Sequence, residues 1–310
     1  MNTQNDIHIL QFGTGNFLRA FFETMNEEIS KAHNHLNICI IQSTNGNTLE
    51  KLKSAKYQYP VWVSGKMNGK TVDTLQEITC IKEGLKLPDE REKFLEYADF
   101  TSVKWIVSNV TEAGMVWKKE GPFEKLAESF AGRITQWLFR RFQTLPDVET
   151  VIFPLELLPN NGEILRGFVL RHSEEWTLGQ EFLDWLDSNV TFFTSLVDRI
   201  VPGFPRENPK NEKSIHPLLV HAEPYSFWAI EGKKPQENLI PWLKCSSEVI
   251  LEESIEQFAL RKIRILNGCH TFLAAHGLCL GINTVREYVE NKNNLHLLEK
   301  MVNQEIIPFL

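Results

Sequence analysis

The residues with the most chemical capability sit near the end of the chain. In the run Arg261-Lys262-Ile263-Arg264-Ile265-Leu266-Asn267-Gly268-Cys269-His270, a lysine, an asparagine and a histidine interrupt largely apolar sequence. At 3.6 residues per turn, Lys262, His270 and Asn267 fall at about 0°, 80° and 140°, so one helix can aim all three into one cleft. A strand over 262–266 also fits; length and the apolar continuation through 272–280 favour a helix. Such a trio suits carbonyl reduction without a metal. Hydride arriving at a carbonyl carbon creates an alkoxide, which needs a proton donor and oxyanion donors close by. A lysine that is partly desolvated beside another cation loses affinity for its proton. Taken alone, the residues favour a plainer reading, with Lys262 snorkelling, Asn267 capping and His270 a satisfied core histidine.

The second chemical feature is Gly13-Thr14-Gly15. In G-x-G-x-x-G, glycines permit a tight turn and bring backbone N–H groups against a pyrophosphate. The third position here holds Leu18, and Arg19 follows, placed to add positive charge near a phosphate. Alone, a G-x-G is an ordinary strand-to-helix turn as readily as a phosphate cradle. Residues 108–114 (Ser-Asn-Val-Thr-Glu-Ala-Gly) follow another apolar strand. Ser108, Asn109 and Thr111 there could meet a ribose or nicotinamide, although Ser108 or Thr111 capping the next helix is the simpler account.

The elements that would position these groups are legible at the start of the chain. Residues 7–12 read as a buried strand. Leu18, Phe21, Phe22, Met25 and Ile29 then mark an amphipathic helix, and residues 38–41 a second buried strand. Strand, glycine turn, helix and strand within about forty residues make a βαβ unit of a parallel sheet. Its position in this unit is what raises the glycine turn above an ordinary one. Further strands are expected at 60–64, 105–108 and 151–155, and helices at 123–142 and 179–187. Residues 201–213 read as an exposed loop. The expected architecture is α/β: a Rossmann-type dinucleotide-binding domain over 1–247, then a wholly helical domain over 248–310. After the second strand stand Gln42, Ser43 and Thr44, with neither an acid for ribose hydroxyls nor an arginine for a 2′-phosphate, and the lean is to NAD.

Composition excludes several classes. The formal charge of −7, with pI near 5.8 and no basic stripe, leaves no footprint for nucleic acid. Five scattered cysteines without a C-x-x-C pair read as reduced thiols of a cytoplasmic protein. No apolar run reaches the roughly 18–20 residues of a membrane span. The nine histidines form no zinc-binding pattern, so no metal is expected.

Four stretches together resemble the mannitol dehydrogenase family, the zinc-independent long-chain polyol and sugar-acid dehydrogenases. They are residues 11–20 (Gln-Phe-Gly-Thr-Gly-Asn-Phe-Leu-Arg-Ala), 108–114, 196–203 (Leu-Val-Asp-Arg-Ile-Val-Pro-Gly) and 262–271. Thr111-Glu112-Ala113-Gly114, Glu156-Leu157 with Asn161-Gly162, and Ile265-Leu266-Asn267-Gly268 resemble the members that act on sugar acids. The resemblance implies NADH-dependent, reversible reduction of D-tagaturonate to D-altronate. It implies Lys262 as general acid and base, Asn267 as donor to the alkoxide, and His270 as orienting the substrate. Asp198 and Glu156 would shape the substrate pocket. Phe12, Gly13, Thr14, Gly15, Asn16, Phe17, Leu18, Arg19, Ser108, Asn109 and Thr111 would surround the cofactor. Arg264, Lys244 and Arg199 are candidates for holding a substrate carboxylate. Polyol-oxidising members carry an asparagine where Leu157 stands, which argues against mannitol. Fructuronate reduction, mannitol (phosphate) oxidation, and a non-catalytic dinucleotide-binding protein or inactive fragment are the competing readings. Only forty residues follow His270, so the expectation is either a truncated form or a reduced second domain.

Overall fold

Six residues, Ile7–Phe12 (β1), are buried almost throughout and open the fold as expected. The computed structural model describes residues 6–32, 35–205, 209, 215–244 and 248–310. Beyond β1 the expected single helix is two, Asn16–Ala20 (α1) and Phe22–Ala32 (α2), with a break at Phe21 (φ −118°, ψ −75°). The carbonyls before the break are held by side chains: Tyr59 Oη donates to Arg19 O (2.9 Å) and Arg199 Nη1 to Ala20 O (2.6 Å). The apolar stripe nevertheless packs inward, and Leu18, Phe21, Phe22, Met25 and Ile29 are all buried.

Next come Asn37–Gln42 (β2), Thr48–Ser54 (α3), the hairpin Tyr59–Met67 (β3) and Lys70–Ile78 (β4), Ile81–Lys86 (β5), Arg91–Glu96 (α4) and Trp105–Ser108 (β6). Phe130–Thr144 (α5), Thr150–Pro154 (β7), Asn161–Glu175 (α6), Gln180–Asn189 (α7), Val190–Phe192 (β8) and Thr194–Asp198 (β9) follow. Val220–Ala222 (β10), Phe227–Glu231 (β11) and Val249–Glu252 (β12) complete the strands. The central sheet runs β5-β2-β1-β6-β7-β8 with every pairing parallel, which is the Rossmann order. Parallel strands buried on both faces read as continuous apolar runs, which is why β1, β2, β6 and β7 were legible. On one face, Leu10, Phe12, Ile41 and Ile106 pack with Phe130, Trp137, Leu165 and Phe182. On the other, Ile9, Ile40 and Phe153 pack with Phe22, Trp228 and Trp242.

Several expectations need correction. α5 begins at Phe130 rather than near residue 123, because the Ser129 hydroxyl accepts the Gly132 N–H (2.9 Å) and caps it there. The strand expected at 60–64 exists within β3, but it belongs to a separate sheet of order β10-β3-β4. The region after 247 is not wholly helical, since β12 pairs in parallel with β11 in a third sheet. Of the loop expected at 201–213, residues 206–208 and 210–213 lie outside the described residues, as does Cys245.

By internal contacts the chain forms two compact units, Met1–Glu253 and Ser254–Leu310. The second contains Glu256–Leu260 (α8), Gly268–Cys279 (α9), Val285–Glu290 (α10) and Lys292–Met301 (α11), with π-helical turns at Arg261–Asn267 and Val302–Ile306. Among the described residues no helix is long and apolar enough to cross a membrane.

Behind β1 lies a polar network with no access to solvent. Gln11 Nε2 donates to Glu23 Oε1 (2.7 Å), and the one Tyr59 hydroxyl proton is shared between Arg19 O and Glu23 Oε2. Burial, the largest influence, lifts the Glu23 carboxyl above its ordinary pKa, against the Gln11 and Tyr59 hydrogen bonds and the Arg19 charge. A group that holds its proton more tightly when folded loses stability as pH rises from its unfolded pKa through its folded one. Glu23→Gln should remove that slope, so the variant gains on wild type as pH rises above about 4.5, the ordinary carboxyl value. Urea midpoints measured across pH check this; a difference independent of pH contradicts it.

Candidate functional site

At the carboxyl ends of β1, β2 and β6 opens a cleft of about 470 Å³. Three turns line it, at 13–15, 42–44 and 109–114, together with the first turn of α5. Open α/β sheets bind ligands where neighbouring connections leave in opposite directions, and β1 between β2 and β6 is that point here.

The two glycines serve different ends. Gly13 has φ +123°, and a Cβ there would lie 3.0 Å from Leu18 Cδ1 and 3.1 Å from Asn109 O. Backbone and packing both require it to be glycine. Its N–H donates to Ile41 O (3.1 Å) and its carbonyl accepts from Gln11 Nε2 (3.1 Å), so β2 and the buried network fix the turn. Gly15 sits at an ordinary φ of −68°, and a Cβ there would meet nothing within 4 Å. What glycine provides at position 15 is open space in the cleft.

The wall at 109–114 is held from both sides. Asn109 N donates to Phe12 O (3.0 Å), Asn109 Nδ2 to Leu155 O (2.6 Å), and Val110 N to Glu156 Oε1 (2.9 Å). Thr111 adopts φ +70°, a strained conformation for a β-branched residue and one that collects at ligand sites. No helix begins here; residues 111–114 form a turn, so Ser108 and Thr111 are not helix caps. Glu156 is buried, and its carboxyl supports the wall. Burial lifts its pKa, against the Val110 N–H and the Ser108 hydroxyl, which favour the charged form. Asn161 Nδ2 in turn donates to Glu156 O and Ser195 O (both 2.9 Å).

The sequence-predicted cofactor residues divide accordingly. Gly13, Thr14, Gly15, Asn109 and Thr111 line the cleft. Phe12, Leu18, Arg19 and Ser108 are buried behind it, and Asn16 and Phe17 lie outside its lining. Arg19 needs correction: its Nη1 donates to Leu218 O (2.9 Å), its Nη2 to Asn16 Oδ1 (2.6 Å), and its guanidinium lies 5.2 Å from the Tyr59 ring centre. It does not face the cleft. Sequence reasoning missed the α5 side of the lining, with Ser129 and Arg133, and Lys118 and Glu128 from the irregular segment before it. Their spacing carries no period that could have marked them.

In the second unit, residues 256–279 are continuously helical, which decides against the strand alternative for 262–266. Lys262 and His270 are half-buried and Asn267 is exposed. The 140° offset expected between Lys262 and Asn267 does not hold, because residues 261–267 wind as a π-helix. Bonds between residues five apart bring positions 262 and 267 close to one face, and such insertions collect at functional sites. His270 Nδ1 lies 2.9 Å from Leu266 O. A carbonyl can only accept, so Nδ1 is the donor in this bond and Nε2 stays outside it. His270 also edges a cavity of about 380 Å³ with Leu273, Gly277 and Tyr288.

Residues 7–244 match the mannitol dehydrogenase Rossmann domain, and residues 254–310 match the mannitol dehydrogenase C-terminal domain. The chain belongs to the mannitol dehydrogenase family. Among similar proteins, altronate oxidoreductase of Halalkalibacterium halodurans is 36% identical over 310 residues, covering 97% of this chain and 60% of its own length. Altronate oxidoreductase of Bacillus subtilis is 32% identical over 318 residues, covering 99% and 66%. The chain thus spans just under two thirds of these relatives. In fold it is similar to D-sorbitol dehydrogenase in substrate-free form (TM-score 0.79, 22% identity, 99% of this chain and 66% of that one). It is also similar to Pseudomonas fluorescens mannitol 2-dehydrogenase in a ternary complex with NAD and D-mannitol (TM-score 0.77, 18% identity, 98% and 64%).

For this member of the mannitol dehydrogenase family, the remaining expected substrate residues are not among those that line the cleft. Asp198 is half-buried at the end of β9, in register with Phe227. Arg199 donates to Glu223 O, Ala20 O and Thr24 Oγ1, so its guanidinium is occupied by the fold. Lys244 and Arg264 are exposed.

Proposed function

We propose that the chain reduces D-tagaturonate to D-altronate with NADH, reversibly. The observation that carries this reading is the open space at Gly15, in a ligand-sized cleft at the switch point of a parallel sheet. Kinship with altronate oxidoreductases supports the substrate class.

The residues of the cleft fit a dinucleotide. The 13–15 turn would take the pyrophosphate, Ser43 and Thr44 the adenosine ribose, and Asn109 and Thr111 the nicotinamide half. The lining residues after β2 include no acid, so discrimination against NADPH is moderate and the preference is for NADH. When bound, the nicotinamide supplies a hydride to the substrate's carbonyl carbon. Lys262 then gives a proton to the oxygen, and in altronate oxidation takes one back. Asn267 donates a hydrogen bond to the developing alkoxide. His270 Nε2, left outside the bond to Leu266 O, hydrogen-bonds a substrate hydroxyl and fixes the sugar's orientation. Glu156 acts on substrate indirectly, by holding the 109–114 wall.

Three measurements check the reading. Gly15→Val should fold with an unchanged thermal midpoint, since its Cβ meets nothing, yet should lose NADH binding in a fluorescence titration. Unchanged affinity contradicts the cofactor assignment. Consumption of NADH with D-tagaturonate should be far faster than with fructose, which lacks the carboxylate. Lys262→Ala should lower kcat by about 10²- to 10⁴-fold while NADH affinity stays near wild type. A kcat within a few-fold of wild type means that the proton donor lies elsewhere.

A further inference from the structure

We propose that Arg133 is the cation that binds a phosphate group of the dinucleotide in this cleft, an inference that rests on the cofactor reading above. A dinucleotide brings two phosphates to a chain of net charge −7, so the cleft needs local positive charge.

The usual sources are committed elsewhere. α1, beyond the glycine turn, is only five residues long, and so short a helix sums few peptide dipoles. Arg19 points away from the cleft. α5, at fifteen residues, does begin at the cleft, but a carboxylate already fills its N-terminus. Glu120 accepts from Glu128 N (2.5 Å), Ser129 N (3.3 Å) and the Ser129 hydroxyl. Gly132 permits this approach, because a Cβ there would lie 2.4 Å from Glu120 Oε1.

Two cations remain among the described lining residues, Lys118 and Arg133. Lys118 Nζ is paired with Glu128, on an exposed surface. Arg133 is half-buried on the first turn of α5, and its Nε–H donates to Ala127 O (2.8 Å), which holds the guanidinium in place. Among the described residues no carboxylate pairs with it at ion-pair distance. The fork left over, two NH₂ groups in one plane, is suited to phosphate oxygens.

Fluorescence titration of the whole chain with NADH and with NADPH, over a range of salt concentrations, tests this. Arg133→Gln should weaken binding about 10- to 100-fold and flatten its dependence on salt, with the thermal midpoint close to wild type. Arg133→Lys, which keeps the charge without the fork, should fall between and keep the salt dependence. Equal losses for both dinucleotides assign the pyrophosphate; a loss for NADPH alone assigns the 2′-phosphate. If wild type binds and Arg133→Gln binds both with unchanged affinity and salt dependence, Arg133 is no phosphate ligand while the cofactor reading stands. If wild type binds neither dinucleotide, the cofactor reading itself fails, and this inference with it.

Discussion

The cleft depends on one topological constraint: β1 has β2 on one side and β6 on the other, and the helices that follow β1 and β6 pack on opposite faces of the sheet. Helices and loops that diverge from a shared ledge cannot close over it, so the ends of β1, β2 and β6 open a space that no side chain of the sheet fills. The ledge is rigid because its turns are tied to one another. Gly13 bonds Ile41 at the end of β2, and Asn109 bonds Phe12 at the end of β1. A ligand would therefore meet donors and contours already in place, which lowers the ordering cost of binding.

Rigidity at the front of the turn is matched by a buried network behind it. Gln11 points into the core face of β1, where an amide without partners would be costly. Its Nε2 donates to Glu23 and to the Gly13 carbonyl, while Oε1 is left without a partner, so the same amide links the α1–α2 region to the glycine turn. Arg19 lies beside this group over the Tyr59 ring. Its charge offsets the buried carboxyl rather than an incoming phosphate. A short sequence motif followed by arginine thus suggests a phosphate contact that tertiary packing diverts, and positive charge at the cleft comes from α5 instead.

What the sequence made legible follows from periodicity. β1, β2, β6 and β7 are short apolar runs buried on both faces, and the Gly13-Thr14-Gly15 turn stands between two of them. β4 was invisible because its side chains are mostly exposed, so neither alternation nor apolarity marks it. Residues 115–128 were opaque for a different reason. They are irregular, and Lys118, Glu120 and Glu128 look like any solvated charges until the cap on α5 gives Glu120 its place. Similarly, a 3.6-residue period cannot anticipate the π winding at Arg261–Asn267, so the relative placement of Lys262 and Asn267 was misjudged although the helix itself was expected.

The claim on which the account rests is that a nicotinamide dinucleotide occupies the ledge at the ends of β1, β2 and β6. Hydrogen exchange of backbone amides, measured with and without saturating NADH, tests it most directly, because it locates the ligand without relying on turnover. Exchange should slow at residues 13–15, 43–44 and 109–114, the three turns that the topology brings together. Saturable NADH binding that leaves all three unprotected would contradict the account.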